Sequence, residues 1–371
     1  MRPSHVEVDL AAIRSNAAVI AEAVAPAMLC AVVKADGYGH GDVPVAEMAL
    51  SGGAQWLAVA LVEEGIRLRD AGIDVPILLL SEPTAEEAPL AVNWNLVPTV
   101  YRQSFVDVLA QVVDPDVVLP VHLKVDTGMH RVGAPAEEAV ALATAVNAHP
   151  RLDLQGVWTH FAVADEDAEF TREQLRRFDA FIAEIAANGI EPPMVHAANT
   201  AGGLMFPEAR FSMVRAGLGL YGLRPAPDTA PELQLQPAMR VISAVSYVRD
   251  LPQGARPSYG RRRALPAAAR VATVPIGYAD GVYRRLSSVG GEVLIRGKRY
   301  PHAGTVTMDQ IVIDVGNDEI EVGDEVVVMG TQGVGSVTAE DWAAWMGTIN
   351  YEVVCNFGPR LPRHYRSGCG S

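Results

Sequence analysis

Between about residue 10 and about residue 225, short apolar runs rich in β-branched residues alternate with longer segments in which apolar residues return every three or four positions. Alternation of this kind predicts parallel strands joined by crossover helices. The strands are expected near residues 29–34, 55–60, 76–81, 95–100, 120–126, 154–160, 194–199 and 213–218. Eight in succession point to a closed (β/α)8 barrel of the TIM type rather than an open sheet. Helical periodicity is plain at residues 10–23 and 169–187.

The pattern changes after residues 223–231, where three prolines in nine residues forbid a helix or a central strand and predict an interdomain connection. Beyond it, residues 239–247, 270–275, 292–295, 310–315 and 324–329 form short β-branched runs separated by Gly, Pro or Asp, with one helix expected near 338–346. The expected organisation is a barrel over residues 1–233, then a mainly antiparallel β domain over 234–371.

Composition narrows the function classes. At 371 residues the chain has room for a barrel of roughly 250 residues and a smaller second domain. Thirty Lys and Arg against 44 Asp and Glu give a formal net charge of −14, which argues against a nucleic-acid or anionic membrane surface. The run Arg261–Arg262–Arg263 is too short to reverse that. Cys30, Cys355 and Cys369 are far apart and form no CxxC pair, so a reducing compartment, the cytoplasm, is expected. The first 16 residues lack the apolar stretch of a secretory signal, and charges break every apolar run before the ~20 residues of a membrane span. Neither a membrane helix nor a metal is expected.

In a parallel barrel, chemistry collects at the carboxyl ends of the strands. Those positions hold Lys34, then Asp126 and Arg131, His160, Asn199 and Thr200, and finally Arg215 and Gly217. A lone strand-end lysine is ordinarily a solvated charge. One desolvated at a barrel mouth beside other cations is the amine that forms a Schiff base with a carbonyl cofactor. Lys34 is followed by Ala-Asp-Gly-Tyr-Gly-His-Gly, whose glycines allow close backbone approach and whose Tyr38 offers a hydroxyl to a phosphate. Phosphate is often bound after the seventh and eighth strands, here at Asn199, Thr200, Gly217 and Leu218.

At this point the chain resembles a known family. AVVKADGYGHG looks like the pyridoxal-lysine signature of alanine racemases. Further matches follow in order: HLKVDTGMHRVG (122–133), THFAVADE (159–166), HAANTAG (196–202), RAGLGLYG (215–222), PIGYADG (275–281), TVTMDQ (305–310) and INYEVVC (349–355). Eight ordered matches, spread over both expected domains, are specific where one alone is not.

The resemblance implies an enzyme that interconverts L- and D-alanine with pyridoxal 5′-phosphate, supplying D-alanine for cell-wall peptidoglycan. Racemisation removes the Cα proton from one face and returns one to the other, so it needs two bases. By the resemblance these are Lys34 and Tyr278, the tyrosine arriving from the second subunit of a homodimer with composite active sites. A phenol titrates near pH 10, so such a base needs cations nearby. His160 and Arg215 fill that place in the family, Arg215 facing the pyridine nitrogen. An arginine there stays charged, leaves the nitrogen largely unprotonated and weakens the ring as an electron sink. Tyr38 and Tyr351 join the phosphate cradle. Arg131 resembles the arginine that bonds the phenolic oxygen and receives the substrate carboxylate. Met308 and Asp309 match the pair that crosses the dimer to close the substrate pocket, and Lys124 matches a lysine that is often carbamylated. Thr305 departs from the pattern, since arginine is common there in the family; Arg284 or Arg285 lies near enough in sequence to supply the charge.

Two neighbouring readings fit less well. Decarboxylases of the same two-domain plan set a carboxylate against the pyridine nitrogen and use a cysteine in the second domain, whereas Arg215 and Tyr278 favour racemisation. Non-catalytic pyridoxal phosphate-binding proteins resemble the barrel alone, and the residues beyond about 235 argue against them. A racemase of broader substrate range fits the same residues.

Overall fold

The computed structural model of the chain describes residues 2–367, so Cys369 and the end of the tail lie outside the described residues. The chain forms two compact units. One holds Ala12–Gly37 and Asp42–Gln236; the other holds the residues up to Ala11, Tyr38–Gly41, and those from Pro237 onward.

The first strand, β1 (His5–Asp9), belongs to the second unit. In the first unit follow β2 (Met28–Val32), β3 (Ala54–Val59), β4 (Ile77–Leu79), β5 (Thr99–Val100), β6 (Leu119–Lys124), β7 (Leu152–Trp158), β8 (Met194–His196) and β9 (Met213–Ala216). All eight lie where the hydrophobic pattern predicts strands. They pair in parallel as two four-stranded sheets, ordered β4-β3-β2-β9 and β5-β6-β7-β8. Backbone bonds also link the sheet edges: Leu79 N–H reaches Val97 O at 2.9 Å, and Ser212 N–H reaches Val195 O at 3.0 Å. The predicted strand at 95–100 is reduced to the two-residue strand Thr99–Val100 and a single bridge at Val97. Pro98, which has no N–H to donate, separates Val97, bridged to Leu78, from the Thr99–Val100 pairing with β6.

The crossover helices show why the sequence folds this way. In Ala168–Ala187 the Asp167 carboxylate caps the first turn, accepting from Glu169 N and Phe170 N at 3.0 Å each. Leu175, Phe178, Phe181 and Ile185 form its buried stripe. Helix Leu10–Val24 buries Ile13, Ala17, Ile20 and Val24 at the same spacing.

In the second unit β10 (Met239–Ala244), β11 (Tyr247–Leu251), β12 (Ala269–Val274), β13 (Glu292–Ile295), β14 (Lys298–Pro301), β15 (Ile311–Gly316), β16 (Glu325–Gln332), β17 (Gly335–Val337) and β18 (Arg363–Arg366) are mainly antiparallel. The run expected as one strand over 239–247 is two, because the chain changes partners between Val245, bonded to Gly323 and Asp324 just ahead of β16, and Ser246, whose N–H donates to Thr273 O, so that β11 joins β12. β1 lies between β10 and β18, antiparallel to the first and parallel to the second.

Candidate active site

Lys34 sits just past the end of β2, where the backbone turns left-handed. Ala35, Asp36, Gly37 and Tyr38 have φ of 53°, 53°, 58° and 52°. Three of the four carry a Cβ, and each such residue costs on the order of 1 kcal/mol in this region. The turn therefore needs anchors. Gly37 N–H donates to Val33 O at 3.0 Å, and Ala35 N–H donates to Glu64 Oε1 at 2.6 Å. The other oxygen of this buried glutamate accepts from Ala60 N at 2.8 Å and Leu61 N at 3.0 Å. Glu64 thus ties the lysine-bearing turn to the end of β3. Sequence reasoning missed it; the available signal was a glutamate three positions into a helix start, whose side chain turns back on its own backbone.

Arg215, on β9, is buried at the centre of a second arrangement. Its Nη1 bonds His196 Nδ1 at 2.7 Å, and its Nη2 reaches Thr159 O and Ala197 O at 2.9 Å and His160 Nδ1 at 3.2 Å. A guanidinium only donates, so both histidines accept at Nδ1 and carry their proton on Nε2. His196 Nε2 then donates to His122 Nδ1 at 2.9 Å, and His122 Nε2 faces Gln155 Oε1 at 3.3 Å. Trp158 stacks on His196 with centroids 5.5 Å apart, and the Arg215 guanidinium lies 4.6 Å from the same indole. Burial, and next the Arg215 charge, hold His160 and His196 well below the ordinary imidazole value. Burial pushes Arg215 down to about 10, which leaves it charged at neutral pH.

Lys124 ends β6, buried, with its ammonium 4.4 Å from the Trp158 ring. Burial, then the charges of Arg215 and Arg131, bring it down to about 7. Lys34 acts in the same direction on both Lys124 and His160. Lys34, Lys124, Arg131, His160 and Arg215 thus form one electrostatic group. Arg131 rides a loop folded on Asp126, whose carboxylate accepts from Gly128 N at 2.9 Å and His130 N at 3.0 Å. After β8, Asn199 caps the short helix Thr200–Met205, and Thr200 Oγ1 accepts from Gly217 N at 3.1 Å, so the two strand ends are joined just before Leu218.

The remaining predicted residues lie in the second unit. Tyr38 and Tyr351 have ring centroids 6.3 Å apart, and burial raises the Tyr38 phenol above its ordinary value. Tyr278 opens the one-turn 3₁₀ helix Tyr278–Asp280. Its N–H donates to Thr307 O at 3.0 Å and that of Ala279 to Met308 O at 3.1 Å, so the tyrosine and the Met308–Asp309 loop form one piece. Tyr278 and Met308 are exposed, at 41% and 52%. Thr305 is buried, its hydroxyl on Tyr259 O at 2.8 Å, and so presents no charge.

Cations that depress one another, with the Asp126 carboxylate offsetting them at Lys124, suit a ligand with several negative oxygens. An arginine hub that can only donate suits an acceptor nitrogen. Both fit pyridoxal phosphate. Among the described residues no helix is long and apolar enough to cross a membrane, and no group of His, Cys, Asp and Glu could hold a metal ion.

Comparison with known proteins gives a consistent match. Residues 8–225 match the family "alanine racemase, N-terminal domain", and residues 238–365 match "alanine racemase, C-terminal domain". A relative from Symbiobacterium thermophilum named alanine racemase is 43% identical, over 98% of this chain and 97% of its own. Another from a Nostoc species is 42% identical, over 96% and 94%. The crystal structure of alanine racemase from Streptomyces lavendulae superposes with a TM-score of 0.93 at 37% identity, covering 100% of this chain and 98% of that one.

Proposed function

The chain belongs to the alanine racemase family, and from that premise we propose how its own residues divide the work. It is a pyridoxal phosphate-dependent racemase that interconverts L-alanine and D-alanine, and its fold is an N-terminal barrel domain followed by a C-terminal domain. We read the two parallel sheets as halves of one closed eight-stranded (β/α)8 barrel within about residues 1–233, with β1 given to the other unit. The bonds that link their edges support this. The product D-alanine serves peptidoglycan. We place the enzyme in the cytoplasm; Cys30 and Cys355 form no disulfide.

When bound, the cofactor draws electrons away from the substrate Cα and so makes its proton removable. Lys34 holds the cofactor and moves a proton on one face. Tyr278 of a second subunit moves one on the other, and the domain over 234–371 completes its partner's site. Tyr38 and Tyr351, with Asn199, Thr200, Gly217 and Leu218, hold the phosphate. Arg131 orients the substrate carboxylate and takes the phenolic oxygen; Met308 and Asp309 close the pocket, and a carbamate on Lys124 would orient Arg131. Arg215 stays charged against the ring nitrogen and, with His160, stabilises the tyrosine when it lacks its proton. The observation that carries this reading is the buried Arg215, flanked by two histidines that its donors force to accept.

Mixed dimers test it. Neither Lys34→Ala nor Tyr278→Phe dimers should racemise alanine. Subunits of the two variants, mixed and re-dimerised, recover one intact site if the bases come from different chains. Mixtures that stay inactive would place both bases in one chain and refute the composite site.

A further inference from the structure

The turn carrying Tyr278 is held by a buried carboxylate for which the racemase reading has no role. Asp280 closes that turn with its side chain fully buried. Its Oδ2 accepts from Gly277 N at 2.9 Å, sealing the turn from within. From outside, Arg2 grips it with two bonds, Nη2 to Oδ1 at 2.7 Å and Nη1 to Oδ2 at 3.1 Å. Arg360 lies beside it, Nε to Oδ1 at 3.4 Å, and its Nη2 bonds Asp309 at 2.7 Å. Arg2 Nη2 also reaches Arg360 O at 3.3 Å.

We infer that Arg2, Asp280 and Arg360 form an ionic clamp that positions Tyr278 and the Met308–Asp309 loop as one rigid piece. A carboxylate with no exposure, two arginines and a backbone N–H is costly to build unless it is fully paired, and here it is. Its geometry is specific, since paired forks fix the plane of the carboxylate. The backbone leaves little room for drift: a Cβ at Gly277 would meet Thr307 O at 2.3 Å and Met308 O at 2.4 Å. Arg2 is the unexpected member, since it precedes β1 and lies 278 positions from Asp280 in sequence. These three are positioning residues. They leave the phenol exposed and act on where it points.

The inference rests on Tyr278 being the second base, so its test separates the two ideas. Arg2→Gln keeps Asp280 and still offers it an amide N–H, with the Arg360 guanidinium left beside the carboxylate. In the cofactor-loaded enzyme in D2O, the α-proton of one alanine enantiomer exchanges through Tyr278 and that of the other through Lys34. Read at saturating alanine, where any drift of the Met308–Asp309 loop appears in KM, Arg2→Gln should slow the Tyr278-dependent exchange about tenfold and leave the other within about twofold, because Lys34 keeps its place. Arg2→Lys, which keeps the charge and loses the fork, should fall between. Amide hydrogen exchange over residues 275–283, which needs no turnover, should quicken in Arg2→Gln.

Unchanged amide exchange, or an equal fall for both enantiomers, would overturn the clamp. Tyr278→Phe serves as the control. If it fails to slow one enantiomer selectively, the assignment of the base falls, and the amide exchange then decides the clamp alone.

Discussion

Glu64→Gln is the perturbation whose size can be worked most directly from the geometry. The carboxylate serves three backbone donors, Ala35 through Oε1 and Ala60 and Leu61 through Oε2. An amide has one acceptor oxygen, so its NH2 must face at least one of those N–H groups. The cheaper orientation keeps the oxygen on Ala60 and Leu61 and turns the NH2 toward Ala35. One buried donor is then stranded, at about 1–3 kcal/mol, and the two surviving bonds lose the strength that charge gave them. A total of about 2–4 kcal/mol follows, and it falls at the base of the left-handed turn beside Lys34. That turn has alternatives to relax into, since Ala35 and Asp36 would each gain on the order of 1 kcal/mol by leaving it. The variant should therefore lose several degrees of Tm and, through a misplaced Lys34, at least about tenfold in kcat. Thermal unfolding of the apoprotein and alanine turnover of the loaded enzyme read the two effects. Wild-type Tm together with wild-type kcat would refute the argument that Glu64 holds the turn.

Three further outcomes follow from the same structure. Lys34→Ala should abolish covalent attachment of the cofactor, read as loss of the visible absorbance band and of borohydride-fixed label on the peptide that contains residue 34. Arg215→Lys should cost about 2–4 kcal/mol of stability and about 100-fold or more in racemisation, because one ammonium cannot serve His196, His160 and two carbonyls together. His302 is buried with neither ring nitrogen bonded, and burial lowers it to about 4. Its unfolded value is about 6.5, so below that pH the unfolded chain takes a proton that the folded one refuses, and stability falls as pH drops from about 6.5 toward about 4. The share of His302 between about pH 7 and about pH 5 is ~2 kcal/mol, and His302→Leu should reduce the acid loss by that amount in denaturant titrations at the two pH values.

Much of this was legible in the sequence because it repeats locally. Each barrel strand announces itself as a short β-branched run before a periodic helix, and the residues closing those runs, from Lys34 to Arg215, are the ones found grouped together. What stayed hidden depends on long-range pairing. β1, with only five residues and two charges among them, has no signal apart from its partners β10 and β18, which lie more than two hundred positions away. Glu64, Asp280 and Gln155 read as ordinary polar residues until Ala35, Arg2 and His122 are placed against them. His122 and His196 stood inside quoted motifs. Their link was still invisible, since it follows only from the neighbouring positions of β6, β7 and β8 and from the donor-only chemistry of Arg215.

Racemisation through Lys34 is tested by a coupled assay for D-alanine formed from L-alanine by the purified, pyridoxal phosphate-loaded protein, run beside Lys34→Ala. The wild-type chain should produce D-alanine steadily and the variant none. A wild-type protein that carries the cofactor on Lys34 yet leaves L-alanine unconverted would not be an alanine racemase.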